Sequence, residues 1–402
     1  MKTRVRRRKK KYFIFGLALV AYAGWILLKP LPQLQPDKSS IILSAKTPAS
    51  SLVWPASQSA VSIVGTDILE TNITPNPVPN ASTSKMITAL MVLKAKPLQL
   101  NQQGPVITLT DKDVAIYKDY VARDGSVVPI LAGEQISQYQ ALQTVMLPSA
   151  NNMADSLAIW AYGSLAKYAK AANAYLKQQG INDTNVGADA SGLAANSTST
   201  SADLARIGAL AMQNPVLAEI VGQSTATGIP VVGTIKNVND LIGINNIIGI
   251  KTGSSVEAGG AYVSAAQTKV NEKTVVITTA VLSAPSRFIA MKDTLPLTKS
   301  AQANFTPVTV AKQGQIIGKY ILPWGGSVDA VATKELSISA WNGTLVKAPA
   351  VLEQVPASSE QGGQAGHIIL KKSAINDKKT VSVILKSTPT QPSAWWRLTH
   401  PF

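Results

Sequence analysis

Pro79-Asn80-Ala81-Ser82-Thr83-Ser84-Lys85-Met86-Ile87-Thr88-Ala89-Leu90-Met91-Val92-Leu93 is the stretch on which the fold turns. Met86, Leu90 and Leu93 recur at i, i+4 and i+7, and Pro97 stops the run. The spacing predicts an amphipathic helix whose first turn carries Ser82 and Lys85. Three residues apart on a helix, those two side chains share a face. A serine at a helix N-terminus also feels the positive end of the dipole, which favours negative charge developing beside it. Standing alone, the pattern is equally an N-capping serine followed by a solvated lysine, and Ser-x-x-Lys arises by chance in a Ser-rich chain.

Two later stretches weigh against chance. Ser149-Ala150-Asn151 follows the apolar residues 141–147, with Pro148 breaking the helix just before it. A hydroxyl and an amide two apart on a loop can both face one cleft, although the tripeptide alone reads as a helix start capped by Ser149. Lys251-Thr252-Gly253 follows the strand-like residues 246–250, with further strands expected over 261–266 and 274–282. At a strand end, a glycine beside a lysine and a threonine lets a substrate backbone come close, although singly this too is a surface turn. In this order, on helix, loop and strand, Ser-x-x-Lys, Ser-x-Asn and Lys-Thr-Gly are the signatures of penicillin-recognising serine acyl-transferases.

Composition narrows the chemistry from the other side. The chain has 402 residues, 38 Lys+Arg against 22 Asp+Glu, a formal net charge of +16, two histidines and no cysteine. That length predicts two or three domains with ample material for a core. The lack of cysteine excludes a disulfide scaffold, a thiolate metal site and a cysteine nucleophile. With only His367 and His400, a histidine zinc centre or a Ser-His-Asp triad has little to draw on. No metal and no cofactor is expected.

The charge is uneven. Eight of the first eleven residues are basic and none is acidic, and residues 12–28 form an uncharged apolar run. As a helix that run spans roughly 25 Å. A basic arm before a lone apolar run places the N-terminus in the cytoplasm and the rest outside, in preference to nucleic-acid binding. Ala21-Tyr22-Ala23 looks like a signal-peptide cleavage site, but Trp25 to Leu28 carry the apolar run past it, so an uncleaved transmembrane anchor is the favoured reading. Residues 29–50, rich in Pro, Ser and Lys, read as a stalk without a core. A folded catalytic domain is expected over 51–305, a β-rich domain over 306–390 and an aromatic tail over 391–402. Trp395, Trp396 and Arg397 suit either a membrane interface or packing onto the β-domain. Ser201 reads as a helix N-cap with Asp203 in the first turn.

The segments PNASTSKMITALMVL, DGSVVPILAGEQIS, LPSANNMADSLA, DASGL, GIKTGSSVEAGGAYV and SRFIAMKDTLPL resemble low-molecular-weight D-alanyl-D-alanine carboxypeptidases over about 52–305, and more loosely beyond. Ala150 departs from the glycine usual in the second motif, adding a methyl but removing no functional group. The resemblance implies an α/β (α+β) penicillin-binding fold, an antiparallel sheet with a helical lobe, followed by a small β-sandwich domain. It implies Ser82 as nucleophile and Lys85 as its base, neutral through burial and a second cation, Lys251. Ser149 would shuttle a proton to the leaving amine. Asn151 would hold the substrate amide, and Lys251 and Thr252 the terminal carboxylate. Gly253 completes the third motif. The backbone N–H groups of Ser82 and Ser254 would form the oxyanion hole, and Arg287 stands where the family carries an arginine.

The expected activity is removal of the terminal D-alanine from peptidoglycan stem pentapeptides, with β-lactams as covalent inhibitors, on the outer side of a cell membrane. Alternatives are a D,D-endopeptidase or β-lactamase using the same residues, or an inactive wall-binding protein. Between Asn151 and Lys251 the only glutamate is Glu219, in an apolar helical setting, which speaks against a β-lactamase with a dedicated deacylating acid.

Overall fold

Backbone hydrogen bonding divides the chain into ten helices and nineteen strands among the residues that the structure, a computed structural model, describes: 2–370 and 378–400. They form two compact units, one over 50–305 and one made of residues up to 49 together with the described residues from 306 onward. Met1 of the basic arm, residues 371–377 of the β-domain and residues 401–402 of the tail lie outside the described residues.

The chain opens with α1 (Lys2–Leu28) and β1 (Ser40–Lys46). The unit over 50–305 then runs β2 (Gln58–Ile63), β3 (Leu69–Thr71), β4 (Val78–Pro79), α2 (Lys85–Ala95), β5 (Val106–Thr108), α3 (Asp111–Ala122), β6 (Gln135–Ser137), α4 (Gln138–Met146), α5 (Asn151–Tyr162), α6 (Leu165–Gln178), β7 (Thr198–Ser199), α7 (Ser201–Gln213), α8 (Pro215–Val221), β8 (Thr225–Ile229), β9 (Gly233–Lys236), β10 (Ile247–Ser255), β11 (Gly259–Val270), β12 (Lys273–Ala284) and α9 (Arg287–Gln302). Its main sheet is antiparallel in the order β10-β11-β12-β2-β3, which leaves β10 on an edge. The fold is the expected sheet with a helical lobe.

Three local expectations change. First, α2 is not amphipathic: every residue from Lys85 to Leu93 is buried, as suits a helix at the centre of the lobe. Second, Lys251-Thr252-Gly253 lies inside β10 rather than at a strand end. Third, the N-cap of α7 is Thr200, whose side chain accepts from Asp203 N; Ser201 is the first helical residue. Thr200 has extended backbone angles, as a cap needs, one residue before the position the sequence pattern favoured.

The second unit holds β13 (Phe305–Ala311), β14 (Ile316–Ile321), β15 (Ser327–Ala332), β16 (Leu336–Trp341), β17 (Leu345–Leu352), β18 (Gln364–Leu370), β19 (Lys379–Leu385) and α10 (Ala394–Thr399). A six-stranded sheet, β1-β17-β18-β19-β15-β14, and the pair β13-β16 share one aliphatic core. Here the expected stalk is overturned. β1 pairs antiparallel with β17 from Ser40↔Val351 to Lys46↔Leu345, and fully buried Leu34 bridges Val355. Ile41, Leu43 and Ala45 alternate toward the core while Ser40, Ile42, Ser44 and Lys46 face out, so a polar-looking segment still supplies an edge strand. Residues 10–28 of α1 are long and apolar enough to cross a membrane.

Candidate active site

Ser82 sits in a single 3-10 turn, Ala81–Ser84, that leads directly into α2. In such a turn, side chains at i and i+3 eclipse, which brings Lys85 under Ser82. Lys85 Nζ lies 2.7 Å from Ser82 Oγ, 2.6 Å from Asn151 Oδ1 and 3.1 Å from the Ser191 carbonyl. The lysine is wholly buried, and burial lowers its pKa to about 7 against the opposing pull of Asp189 and Asp155. Near neutral pH much of it is therefore the free amine. A neutral amine has two N–H bonds and one lone pair. Asn151 Oδ1 and Ser191 O are pure acceptors and take the two N–H groups, which turns the lone pair toward the Ser82 proton.

Asn151 opens α5, and its oxygen is committed to Lys85. The amide therefore offers its Nδ2, a donor, to a ligand. Ser149 is 6 % exposed, has a left-handed backbone (φ 68°), and its hydroxyl makes no hydrogen bond to any described residue. Holding a non-glycine residue there costs on the order of 1 kcal/mol and fixes its position between α4 and α5.

Lys251 is also buried, with Nζ donating to the Thr252 carbonyl at 3.1 Å. Its pKa is pushed well below the usual lysine range by burial, then by the charges of Lys85 and Arg287. Burial is the first cause for both amines, and the repulsion between them, which is mutual, disfavours charging both at once. Arg287, the first residue of α9, is half-buried and lies within electrostatic range of Lys251. A Cβ added at Gly253 would sit 3.2–3.3 Å from Thr83 N, Asn80 O and Ser82 N. The bare face of that glycine thus admits the turn carrying Ser82, not a substrate. Thr252 is buried and Ser254 exposed on the same edge strand.

Beneath Lys85 lies a layer that the motifs do not contain. Asp189 Oδ1 accepts the backbone N–H groups of Ser191, Gly192 and Leu193, and Oδ2 that of Ala194. This knots the turn that presents the Ser191 carbonyl to Lys85. Gly192 (φ +85°) packs so tightly that a Cβ would meet Ala81 O at 2.1 Å. Asp155, 5 % exposed, accepts Ala190 N at 2.8 Å and the Tyr120 hydroxyl at 2.8 Å, with Ser191 Oγ 3.2 Å from that hydroxyl. Burial raises its pKa to about 6, and burial with the neighbouring Asp155 raises that of Tyr120. A signal for Asp155 was present: it stands four residues after Asn151 on one helical face otherwise apolar. Glu219, by contrast, is exposed on α8 and engages the Tyr139 hydroxyl.

A hydroxyl in contact with a buried amine of lowered pKa, beside a second buried amine on an edge strand, is an arrangement suited to a serine peptidase. The Peptidase_S11 family, D-alanyl-D-alanine carboxypeptidase, matches residues 56–285. The chain belongs to this family. Penicillin binding protein 5 from Haemophilus influenzae is similar at 21 % identity and a TM-score of 0.58, covering 84 % of this chain and 99 % of that one. The peptidoglycan synthesis regulatory factor PBP3 from Streptococcus pneumoniae gives 19 %, 0.57, 84 % and 99 %. A point mutant of the Streptomyces K15 DD-transpeptidase gives 25 %, 0.54, 62 % and 98 %. No curated relative matches the sequence.

Proposed function

We propose that the protein removes the terminal D-alanine from peptidoglycan stem peptides through an acyl-enzyme on Ser82. The observation that carries this reading is the 2.7 Å contact between Ser82 Oγ and a buried Lys85 whose pKa is lowered to about 7. Ser82 Oγ attacks the carbonyl carbon of the penultimate D-alanine while its proton passes to Lys85 Nζ. The negative charge that develops on the carbonyl oxygen is met by the N–H groups of Ser82 and Ser254. The C–N bond then breaks, and the Lys85 proton reaches the leaving nitrogen through Ser149, which has no competing partner. Water, deprotonated by the same amine, hydrolyses the ester and releases the shortened peptide.

Asn151 Nδ2 donates to a backbone carbonyl of the peptide, which lies along the free edge of β10. Lys251, with Thr252 and with Arg287 behind it, receives the terminal carboxylate. A bound carboxylate offsets the repulsion that depresses Lys251, so binding draws a proton onto that amine. Glu219, turned outward, gives no route to rapid deacylation, so β-lactams acylate Ser82 and persist. The chain is held to the cell membrane by α1, with the catalytic unit outside the cytoplasm.

D-alanine release from an acylated peptide ending in D-Ala-D-Ala tests this. Ser82→Ala is expected to lose at least about 10⁴-fold in kcat, and Lys85→Ala about 10²–10⁴-fold. Equal release by all three proteins sinks the reading.

A further inference from the structure

We propose that α10, the outer end of α1 and the turn between β14 and β15 form one seat for the phospholipid headgroup layer, holding the β-unit directly against the membrane. This rests on the reading of α1 as a membrane span. The last carbonyls of a helix have no intrahelical donors and need a partner. Here Arg397 of α10 supplies one: Nη1 lies 2.8 Å from Leu27 O and 3.2 Å from Lys29 O, a contact across some 370 residues of chain. On the other side of α10, Trp396 packs edge-on against Trp324 with ring centroids 5.4 Å apart and stacks on His400 at 4.7 Å. Trp324 Nε1, in the turn after β14, donates to Thr390 O. The tail thus ties the end of α1 to the sheet.

The surface so formed has the chemistry of an interface. Trp25 is 58 % exposed with Lys29 Nζ 5.1 Å above its ring, and Trp395 is 74 % exposed one residue from Trp396 and two from Arg397. Indoles flanked by cations at the end of an apolar span partition to the headgroup layer. The occupant is lipid rather than another protein because the patch continues the exposed apolar face of α1, ending in Leu28. With six residues, α10 is too short to anchor anything itself; α1 delivers it to the interface. Nor is there slack for a stalk. Only residues 29–33 separate α1 from the Leu34–Val355 bridge, a reach of at most roughly 18 Å.

The absence of native cysteine makes the test direct. The full chain carrying Trp395→Cys, labelled with a polarity-sensitive fluorophore, is reconstituted in phosphatidylcholine–phosphatidylglycerol vesicles containing a spin-labelled lipid. Lys334→Cys, at the other end of β15 from Trp324, is the control. The 395 label is expected to shift to the blue and to be quenched severalfold more than the 334 label, and Arg397→Ala in the same chain is expected to abolish the difference. If the protein floats with the vesicles but both labels report water and escape quenching, the seat is refuted while the anchor stands. If the protein does not float at all, anchor and seat fall together.

Discussion

The two units bury different things. Around Ser82 the interior is polar: Lys85, Asn151, Asp155, Ser191 and Lys251 are all out of solvent. The second unit is filled with Leu34, Ile317, Ile338, Leu352, Ile368 and their neighbours, and among its buried hydroxyls those of Thr47 and Tyr320 are bonded to main-chain groups. Among the described residues, six buried side-chain polar atoms lack a protein partner in the catalytic unit, and only Asn342 Oδ1 does in the other. Burying an amine or a carboxylate costs stability that aliphatic packing would not. The catalytic unit bears that cost because a lysine becomes a base near neutral pH only when water is kept from it.

The largest effect that sharpens this contrast is expected in the aliphatic unit. Leu34→Ala truncates a fully buried side chain at a residue whose backbone pairs with Val355, and such truncations cost about 2–5 kcal/mol. Thermal unfolding of the β-unit is therefore expected to fall by several degrees, while kcat for D-alanine release at a temperature where the protein is folded stays within about twofold. A residue in a solvated stalk would change stability by less than about 0.5 kcal/mol. A loss that small breaks the reading of residues 29–46 as part of the core.

A smaller effect tests the local correction at α7. Thr200→Ala is expected to cost about 1 kcal/mol in chemical denaturation, because the Asp203 N–H loses its acceptor. Ser201→Ala is expected to be near neutral, since that hydroxyl is buried without a partner. The reverse order restores Ser201 as the cap.

These positions also mark what could be read from the sequence. The meeting of Ser82, Lys85 and the other motif segments was legible because each is a short pattern of rare combinations on a recognisable local element. Gly253 was legible as a point of close approach, though what approaches is the 3-10 turn. The strand at 40–46 was hidden because its alternation is only seven residues long and its partner lies some 300 residues away, a pairing that no local pattern encodes. The support under Lys85 was hidden for a related reason. Tyr120, Asp155 and the Asp189 turn come from α3, α5 and a loop before α7, and only the packed lobe brings their polar atoms together. Asp189 ties down a turn by accepting its backbone N–H groups, and the Ser191 carbonyl of that turn contacts the Lys85 amine.

The finest distinction concerns how Asp155 acts. Its carboxylate is buried, accepts Ala190 N and the Tyr120 hydroxyl, and raises the pKa of Lys85 against the effect of burial. In Asp155→Asn the side-chain oxygen can still accept from Ala190, and the new amide can donate to Tyr120, whose hydroxyl then turns toward Ser191. The geometry is kept and the charge is lost. With Lys85 as the proposed base, the free amine is the working form, and the rate is expected to rise with pH through its pKa of about 7 and level off above it. Removing an anion disfavours the ammonium form, lowers that pKa further, and moves the rising limb to lower pH. Between about pH 6, where Asp155 itself takes up a proton, and pH 7, the variant is therefore expected to run at a larger fraction of its own plateau than the native enzyme. A purely structural role predicts a lower plateau with the limb in place. A limb that stays fixed, or moves to higher pH, removes Asp155 from the control of Lys85 and leaves burial and the charge of Asp189 to set it.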